Sequence, residues 1–202
     1  MTDPLQLNIE HITDDLAEKG YSVNQHFLSN SEVESIIQTD EFKNAKLQFK
    51  KAGIGKQQDK QINESIRGDY IQWIDPQAAP KSIALYLKRL EELSQYVNQN
   101  LFLSLKDIEV HMTIYPVGTF YKRHIDQFKS DDHRKLSVIL YLNNDWKQED
   151  GGQLRLYLPE EPIDILPEAG RLVCFRSDLI EHEVMLAKRE RLSITGWLTT
   201  RK

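Results

Sequence analysis

Residues 108–126 read IEVHMTIYPVGTFYKRHID, and the runs that follow are LSVILYL at 136–142, QLRLYL at 153–158, RLVCF at 171–175 and LSITGWL at 192–198. Each run is short and rich in β-branched or aromatic residues, and Gly, Pro, Asp and Asn punctuate them. Several such strands in succession, with no helical pattern between them, predict a sandwich or jelly roll. Upstream the period changes. Leu5, Leu7, Ile9, Ile12 and Leu16 form an imperfect amphipathic stripe ending at Gly20. Ile83, Tyr86, Leu87, Leu90, Leu93 and Val97 form one apolar face of a helix over 80–98. Between them, YSVNQHF (21–27) alternates like a short strand, and Ser29 or Ser31 is placed to cap a helix through VESIIQT (33–39). From Lys51 to Ser65 the chain is polar and periodic in neither sense, a loop long enough to suggest function or mobility. The expected architecture is mainly β with supporting helices: a jelly roll (double-stranded β-helix) braced by N-terminal helices. One domain is expected over 1–202, with 1–106 as helical support, early strands and mobile loop, and 107–202 as the jelly-roll core.

Composition excludes several classes. A length of 202 residues suits one domain with a substantial core. A net charge of −5 argues against a general phosphate-binding surface, although Lys46 to Lys60 is a candidate local basic strip. The start, MTDPLQLNIEHITDD, lacks the basic-then-apolar order of a secretory signal, and no apolar run approaches the length of a membrane span. A single cysteine, Cys174, excludes an internal disulfide and fits a reducing cytoplasm; in RLVCF it reads as buried filler.

Three polar residues stand out: His124, Asp126 and, 56 residues later, His182. His-x-Asp on a strand puts both side chains on one face, and a later His completes two imidazoles and one carboxylate. That set suits non-haem Fe(II), with open positions left for a co-substrate and oxygen. His-x-Asp alone is weak: six His and fifteen Asp in this length give about 0.4 chance occurrences. The bland alternative is a surface pair on an edge strand, with His182 a hydrogen-bonded structural residue. Joint placement favours the metal, because His124 and His182 lie at strand ends and Arg191, a cation suited to anchoring a dicarboxylate, opens another strand. His11, His26 and His133 read as surface residues and His111 as an ordinary strand residue. No HExxH is present, which disfavours a zinc hydrolase.

Five stretches carry a resemblance: IRGDYIQWID (66–75), IYPVGTFYKRHID (114–126), VILYLNNDW (138–146), DGGQLRLY (150–157) and RLSITGW (191–197). From about Ile66 to the C-terminus the chain resembles the Fe(II)- and 2-oxoglutarate-dependent oxygenases, specifically prolyl hydroxylases of the oxygen-sensing type and their bacterial relatives. The resemblance implies a double-stranded β-helix and hydroxylation coupled to conversion of 2-oxoglutarate and O2 to succinate and CO2. It implies His124, Asp126 and His182 as iron ligands, and Arg191 paired with the distal carboxylate of 2-oxoglutarate. Tyr141, Tyr115 and Thr195 would face the co-substrate, Trp197 would support the site, and ascorbate would serve as reductant. For Tyr115, Tyr141 and Trp197 the competing reading is an aromatic packed in the barrel.

On the substrate side the resemblance points to Arg67, Asp69 and Arg134, with the 51–65 loop in the place of a mobile cover. Solvated charges, or a structural Arg–Asp pair, would explain the same residues. The implied substrate is a proline in a protein, for example a cytosolic translation component, with neither nucleic acid nor membrane as partner. Two alternatives stay open: the same chemistry on another residue or a free amino acid, and a non-catalytic sensing or binding module. Nucleic-acid demethylation is disfavoured, because Trp197 stands where repair-type relatives carry a second arginine.

Overall fold

The computed structural model describes residues 4–44, 49–52, 65–127 and 131–201. Most of the expected 51–65 loop and of the 46–60 basic strip lies outside these residues.

The strands form two sheets. β1 (Tyr21–Asn24), β2 (Lys50–Lys51), β3 (Tyr70–Trp73), β4 (Asp107–Tyr115), β6 (Arg134–Tyr141), β9 (Leu172–Arg176) and β11 (Arg191–Thr199) make a seven-stranded sheet, ordered β1-β9-β6-β11-β4-β3-β2. β5 (Tyr121–His124), β7 (Leu154–Tyr157), β8 (Ile163–Ile165) and β10 (Glu181–Val184) make a four-stranded sheet, ordered β5-β10-β7-β8. Among the described residues every pairing between these strands is antiparallel. This is the jelly roll expected from the strand runs, with the short strands β2, β3, β8 and β10 added.

Period two divides the large sheet. Val110, Met112 and Ile114 of β4, Leu136, Val138 and Leu140 of β6, and Ile194 and Leu198 of β11 point outward into a core shared with the helices. α1 (Pro4–Lys19), α2 (Asn30–Ile37) and α4 (Lys81–Leu101) supply the other half, including Ile12, Val33, Ile36, Leu90, Leu93 and Val97, all fully buried. Each such side chain contributes roughly 1.5–3 kcal/mol by leaving water. α3 (Asp40–Lys43) adds one buried residue, Phe42. Cys174 faces this apolar core, as expected of filler.

Local signals set the helix ends. Ser29 caps α2 in a capping box with Glu32, and Glu32 also pairs with Arg89 of α4 (2.5 Å), tying the two helices together. α1 ends where Gly20 takes φ +77°, a conformation glycine adopts without strain, and the chain turns directly into β1.

The inner face of the large sheet meets the small sheet around a second core that includes Tyr115, Ile139, Tyr141, Leu154, Leu156, Phe175 and Val184. The solvent face of the small sheet is a charge ladder: Arg123 pairs with Glu181, Arg155 with Asp164 (2.8 Å), and the Tyr157 hydroxyl donates to Glu183 (2.6 Å).

Candidate metal centre and active site

A cavity of about 860 Å³ opens between the sheets. His124, Asp126 and His182 line it, with ligand atoms all within 4.8 Å of one another, and no other such cluster occurs among the described residues. His124 and His182 face each other across the β5–β10 ladder. The expectation that His124 and Asp126 share a strand face is corrected here. β5 ends at His124, and Asp126 lies in the bend beyond it. Backbone and side chain hold that bend: the Gln127 N–H donates to the Ser177 carbonyl (3.1 Å), and its side-chain amide donates to the Arg134 carbonyl (2.9 Å).

Hydrogen bonds set the protonation of each donor. His124 Nδ1 lies 2.7 Å from the Lys122 carbonyl and His182 Nδ1 lies 3.3 Å from the Ile180 carbonyl. A ring nitrogen facing a carbonyl carries the proton, so Nε2 of each ring presents its lone pair to the cavity. Burial pushes His182 down to about 4, which keeps it neutral and ligand-ready. Burial disfavours ionisation of Asp126, but the two imidazoles and the Ser137 hydroxyl outweigh it and hold the carboxyl well below the usual range. Ser137 Oγ donates to Asp126 Oδ2 (2.7 Å) and lies 2.9 Å from Ser177 Oγ. Neither serine stood out in the sequence. The only cue for Ser137 is that it shares a strand face with Ile139 and Tyr141.

Arg191 opens β11 and is 1% exposed, a charge buried beside the cavity. Its Nε donates to the Gly152 carbonyl (2.9 Å), and its guanidinium lies 5.0 and 4.9 Å from the ring centroids of Tyr115 and Tyr141. A Cβ on Gly152, at φ +66°, would sit 3.2 Å from both Arg191 Cδ and Trp146 Cζ2, so the DGG turn must be glycine to seat the arginine. Arg191 Nη2 and Tyr141 Oη are buried without a hydrogen-bond partner among the described residues. A buried cationic donor beside a buried phenol suits an anion such as a carboxylate. Burial raises the Tyr141 phenol above its usual range, keeping it a neutral donor, while nearby Arg191 opposes the shift. Tyr115 and Thr195 line the cavity, whereas Tyr141 is not part of the lining and packs its ring against the Arg191 guanidinium.

The remaining expected residues line the same cavity. Arg67 forks onto Asp69 with bonds of 2.7 and 2.5 Å, and Arg134 stacks 3.4 Å from the Trp197 ring centroid. All four line the cavity. His111 also lines it, its ring 5.0 Å from Trp73 and 5.8 Å from Trp197, and burial pushes it down to about 4. The ordinary strand residue therefore belongs to the cavity wall. His133 is corrected from surface to half-buried: it hydrogen-bonds Asp131 (2.6 Å) and faces Glu109 (3.7 Å).

With this geometry in place, the comparisons with known proteins become specific. A sequence profile of the 2OG-Fe(II) oxygenase superfamily matches residues 110–199. The crystal structure of a Pseudomonas putida prolyl-4-hydroxylase is 41% identical, covering 96% of this chain and 100% of that one with a TM-score of 0.87. A prolyl hydroxylase from Trichoplax adhaerens, solved with a peptide fragment of the hypoxia-inducible factor oxygen degradation domain, is 27% identical. It covers 99% of this chain and 94% of that one with a TM-score of 0.86. The hypoxia-inducible factor prolyl hydroxylase of Caenorhabditis elegans is 32% identical over 93% of this chain and 28% of its own length. Human Egl nine homolog 1 is 31% identical over 96% of this chain and 47% of its own length. The chain thus spans less than half of these two curated relatives. It belongs to the Fe(II)- and 2-oxoglutarate-dependent oxygenases.

Proposed function

We propose that this chain hydroxylates a prolyl residue in a protein, using Fe(II), 2-oxoglutarate and O2. One observation carries the reading: two imidazoles and a carboxylate converge in the same cavity as a buried arginine with an unsatisfied guanidinium nitrogen. Iron with its co-substrates supplies the oxidation, in which 2-oxoglutarate becomes succinate and CO2 while one atom of O2 enters succinate and the other enters a substrate C–H bond.

His124 Nε2, Asp126 and His182 Nε2 would hold the iron, with Ser137 fixing the carboxylate by donating to Oδ2. Arg191 and Tyr141 would bind the distal carboxylate of 2-oxoglutarate, and Tyr115 and Thr195 would wall its chain. Leu154 and Val184 add apolar surface to the cavity lining. Toward the mouth, Trp73 and Trp197 would flank a proline ring, while Arg67, Asp69 and Arg134 would border the bound peptide. Trp73 and Ile125 are 52% and 42% exposed at the rim, an apolar opening that suits a prolyl ring better than a free zwitterionic amino acid.

The substrate we propose is a cytosolic protein, such as a component of translation, with ascorbate as the reductant that maintains Fe(II). The lone buried cysteine is consistent with a reducing compartment. No helix among the described residues is long and apolar enough to cross a membrane.

Anaerobic addition of Fe(II), then 2-oxoglutarate, to metal-free protein should produce a visible charge-transfer band that His182→Ala abolishes. Aerobic turnover should then add one oxygen to a proline, read by peptide mass spectrometry. A folded wild type with no band would overturn the oxygenase reading, and a band with oxygen placed on another residue would overturn the prolyl assignment.

A further inference from the structure

Residues 66–69 strap the two sheets together beside the metal cluster. The Lys122 N–H donates to the Ile66 carbonyl (2.9 Å), the Gly68 N–H donates to the Phe120 carbonyl (3.0 Å), and Arg67 bridges to Tyr121. One residue later the chain enters β3 and pairs with β4 of the large sheet. A Cβ on Gly68 would fall 2.8 Å from Thr119 Cβ, so only glycine permits this approach to the edge of the small sheet.

The strap delivers Arg67 to a particular place. Asp69, its side chain fully buried, grips the guanidinium in a fork and keeps it charged despite burial. The guanidinium lies 4.3 Å from the Tyr121 ring centroid, and that ring stacks on the His124 imidazole at 3.6 Å between centroids and 16° between planes. Tyr121 and His124 are three residues apart, a spacing that places side chains on opposite faces of a regular strand. Here β5 uses three steps, Tyr121 to His124, where β10 uses two, His182 to Val184. The extra residue is a bulge, and it brings both rings to the same face.

We propose that Tyr121 is a positioning residue for the metal site, fixing the plane of the His124 imidazole while the Arg67–Asp69 pair holds the tyrosine ring from beside it. The proposal rests on the iron reading above. The hydrogen bond from His124 Nδ1 to the Lys122 carbonyl aims Nε2 but leaves the ring free to rock about the bond axis. A face-to-face neighbour removes that freedom. The electron-rich phenol face also favours the partial positive charge that an imidazole acquires on ligation. The Tyr121 hydroxyl takes no part in the stack.

The test is Mn(II) titration of metal-free protein, read by the EPR signal of unbound Mn(II), on wild type, Tyr121→Leu, Tyr121→Phe and Arg67→Gln. Tyr121→Leu should weaken Mn(II) binding by about tenfold, the scale seen when support outside the ligand set is lost. Tyr121→Phe keeps the stack and should retain wild-type affinity, while Arg67→Gln, which leaves the ring in place, should lose a few-fold. Circular dichroism identifies a Tyr121→Leu protein that fails to fold, and the Phe and Gln variants then decide the matter. Wild-type affinity in a folded Tyr121→Leu protein with a lowered melting temperature would reduce Tyr121 to ordinary packing and overturn the proposal. Loss in Tyr121→Phe equal to that in Tyr121→Leu would overturn it in favour of a role for the hydroxyl. A wild type that binds no Mn(II) would overturn the metal reading itself, a failure distinct from the other two.

Discussion

The two faces of the large sheet are made by the same strands and share almost no chemistry. Outward, β4, β6 and β11 present Val110, Met112, Ile114, Leu136, Val138, Leu140, Ile194 and Leu198 to the helices. Inward, the alternate residues of the same strands are mostly polar or aromatic, among them His111, Thr113, Tyr115, Ser137, Tyr141, Arg191, Thr195 and Trp197, with Ile139 the aliphatic exception. The outer face is apolar, whereas the inner face carries a buried cation, three buried donors with no hydrogen-bond partner among the described residues (Arg191 Nη2, Tyr141 Oη and Trp197 Nε1) and a buried histidine held neutral. Segregation by pleat lets one set of backbone hydrogen bonds support both a stability element and a reactive one. The rigid helical layer behind the sheet is what holds the inner side chains where a small co-substrate would need them.

The contrast can be broken from either side. The largest effect belongs to the outer face: Leu140→Ala removes a fully buried side chain and should cost about 2–5 kcal/mol in urea unfolding. The Mn(II) affinity of the folded Leu140→Ala protein should stay at the wild-type value, and a large drop would show that the faces are coupled through the strand. Next comes Arg191→Met on the inner face. A hydrogen bond to a charged group is worth roughly 1.5–3 kcal/mol, so 2-oxoglutarate binding, followed by the charge-transfer band, should weaken by about 10- to 100-fold. Iron binding without 2-oxoglutarate should be unaffected.

A third effect, of similar size, sharpens the comparison through pH. His111 is buried and pushed down to about 4, from an ordinary value near 6.5. Between those values the unfolded chain binds a proton that the folded chain refuses. Stability is therefore full above about 6.5 and falls as pH drops toward 4, by on the order of 2–3 kcal/mol from this residue. His111→Leu should flatten the decline in unfolding free energy between pH 6.5 and 4.5, and an unchanged slope would show that His111 titrates normally. No outer-face substitution should alter that slope.

Much of this organisation was legible as sequence. HMTIY at 111–115 and RLSITGWL at 191–198 alternate polar or aromatic with aliphatic residues, so the two faces follow from period two. Ser29, Gly20 and the apolar stripe of α4 set helix ends and faces through local hydrogen bonding and backbone preference, which a single sequence carries. The metal cluster was legible as residue types. Its mechanics were not: Asp126 lies in a bend beyond the strand that carries His124, and the neighbouring Gln127 holds that bend through the Arg134 carbonyl and the Ser177 carbonyl, the second far along the chain. His133 was misread for a related reason, since its burial depends on Asp131 and on Glu109 of a different strand.

Tyr121 shows where local reasoning stops. In a regular strand its spacing of three from His124 would put it on the opposite face, and only the register slip against β10 brings the two rings together. What the sequence determined by itself are properties set within a few residues: strand and helix periods, caps, the glycines of tight turns, and the inventory of imidazole, carboxylate and guanidinium groups. What only the tertiary structure decided are properties set between distant segments. The serine pair behind Asp126, the orphaned donors of Arg191 and Tyr141, and the strap that stacks Arg67 on Tyr121 on His124 are of this kind. Burial and cross-strand register arise from packing between segments far apart along the chain, and no local pattern encodes which segments those are.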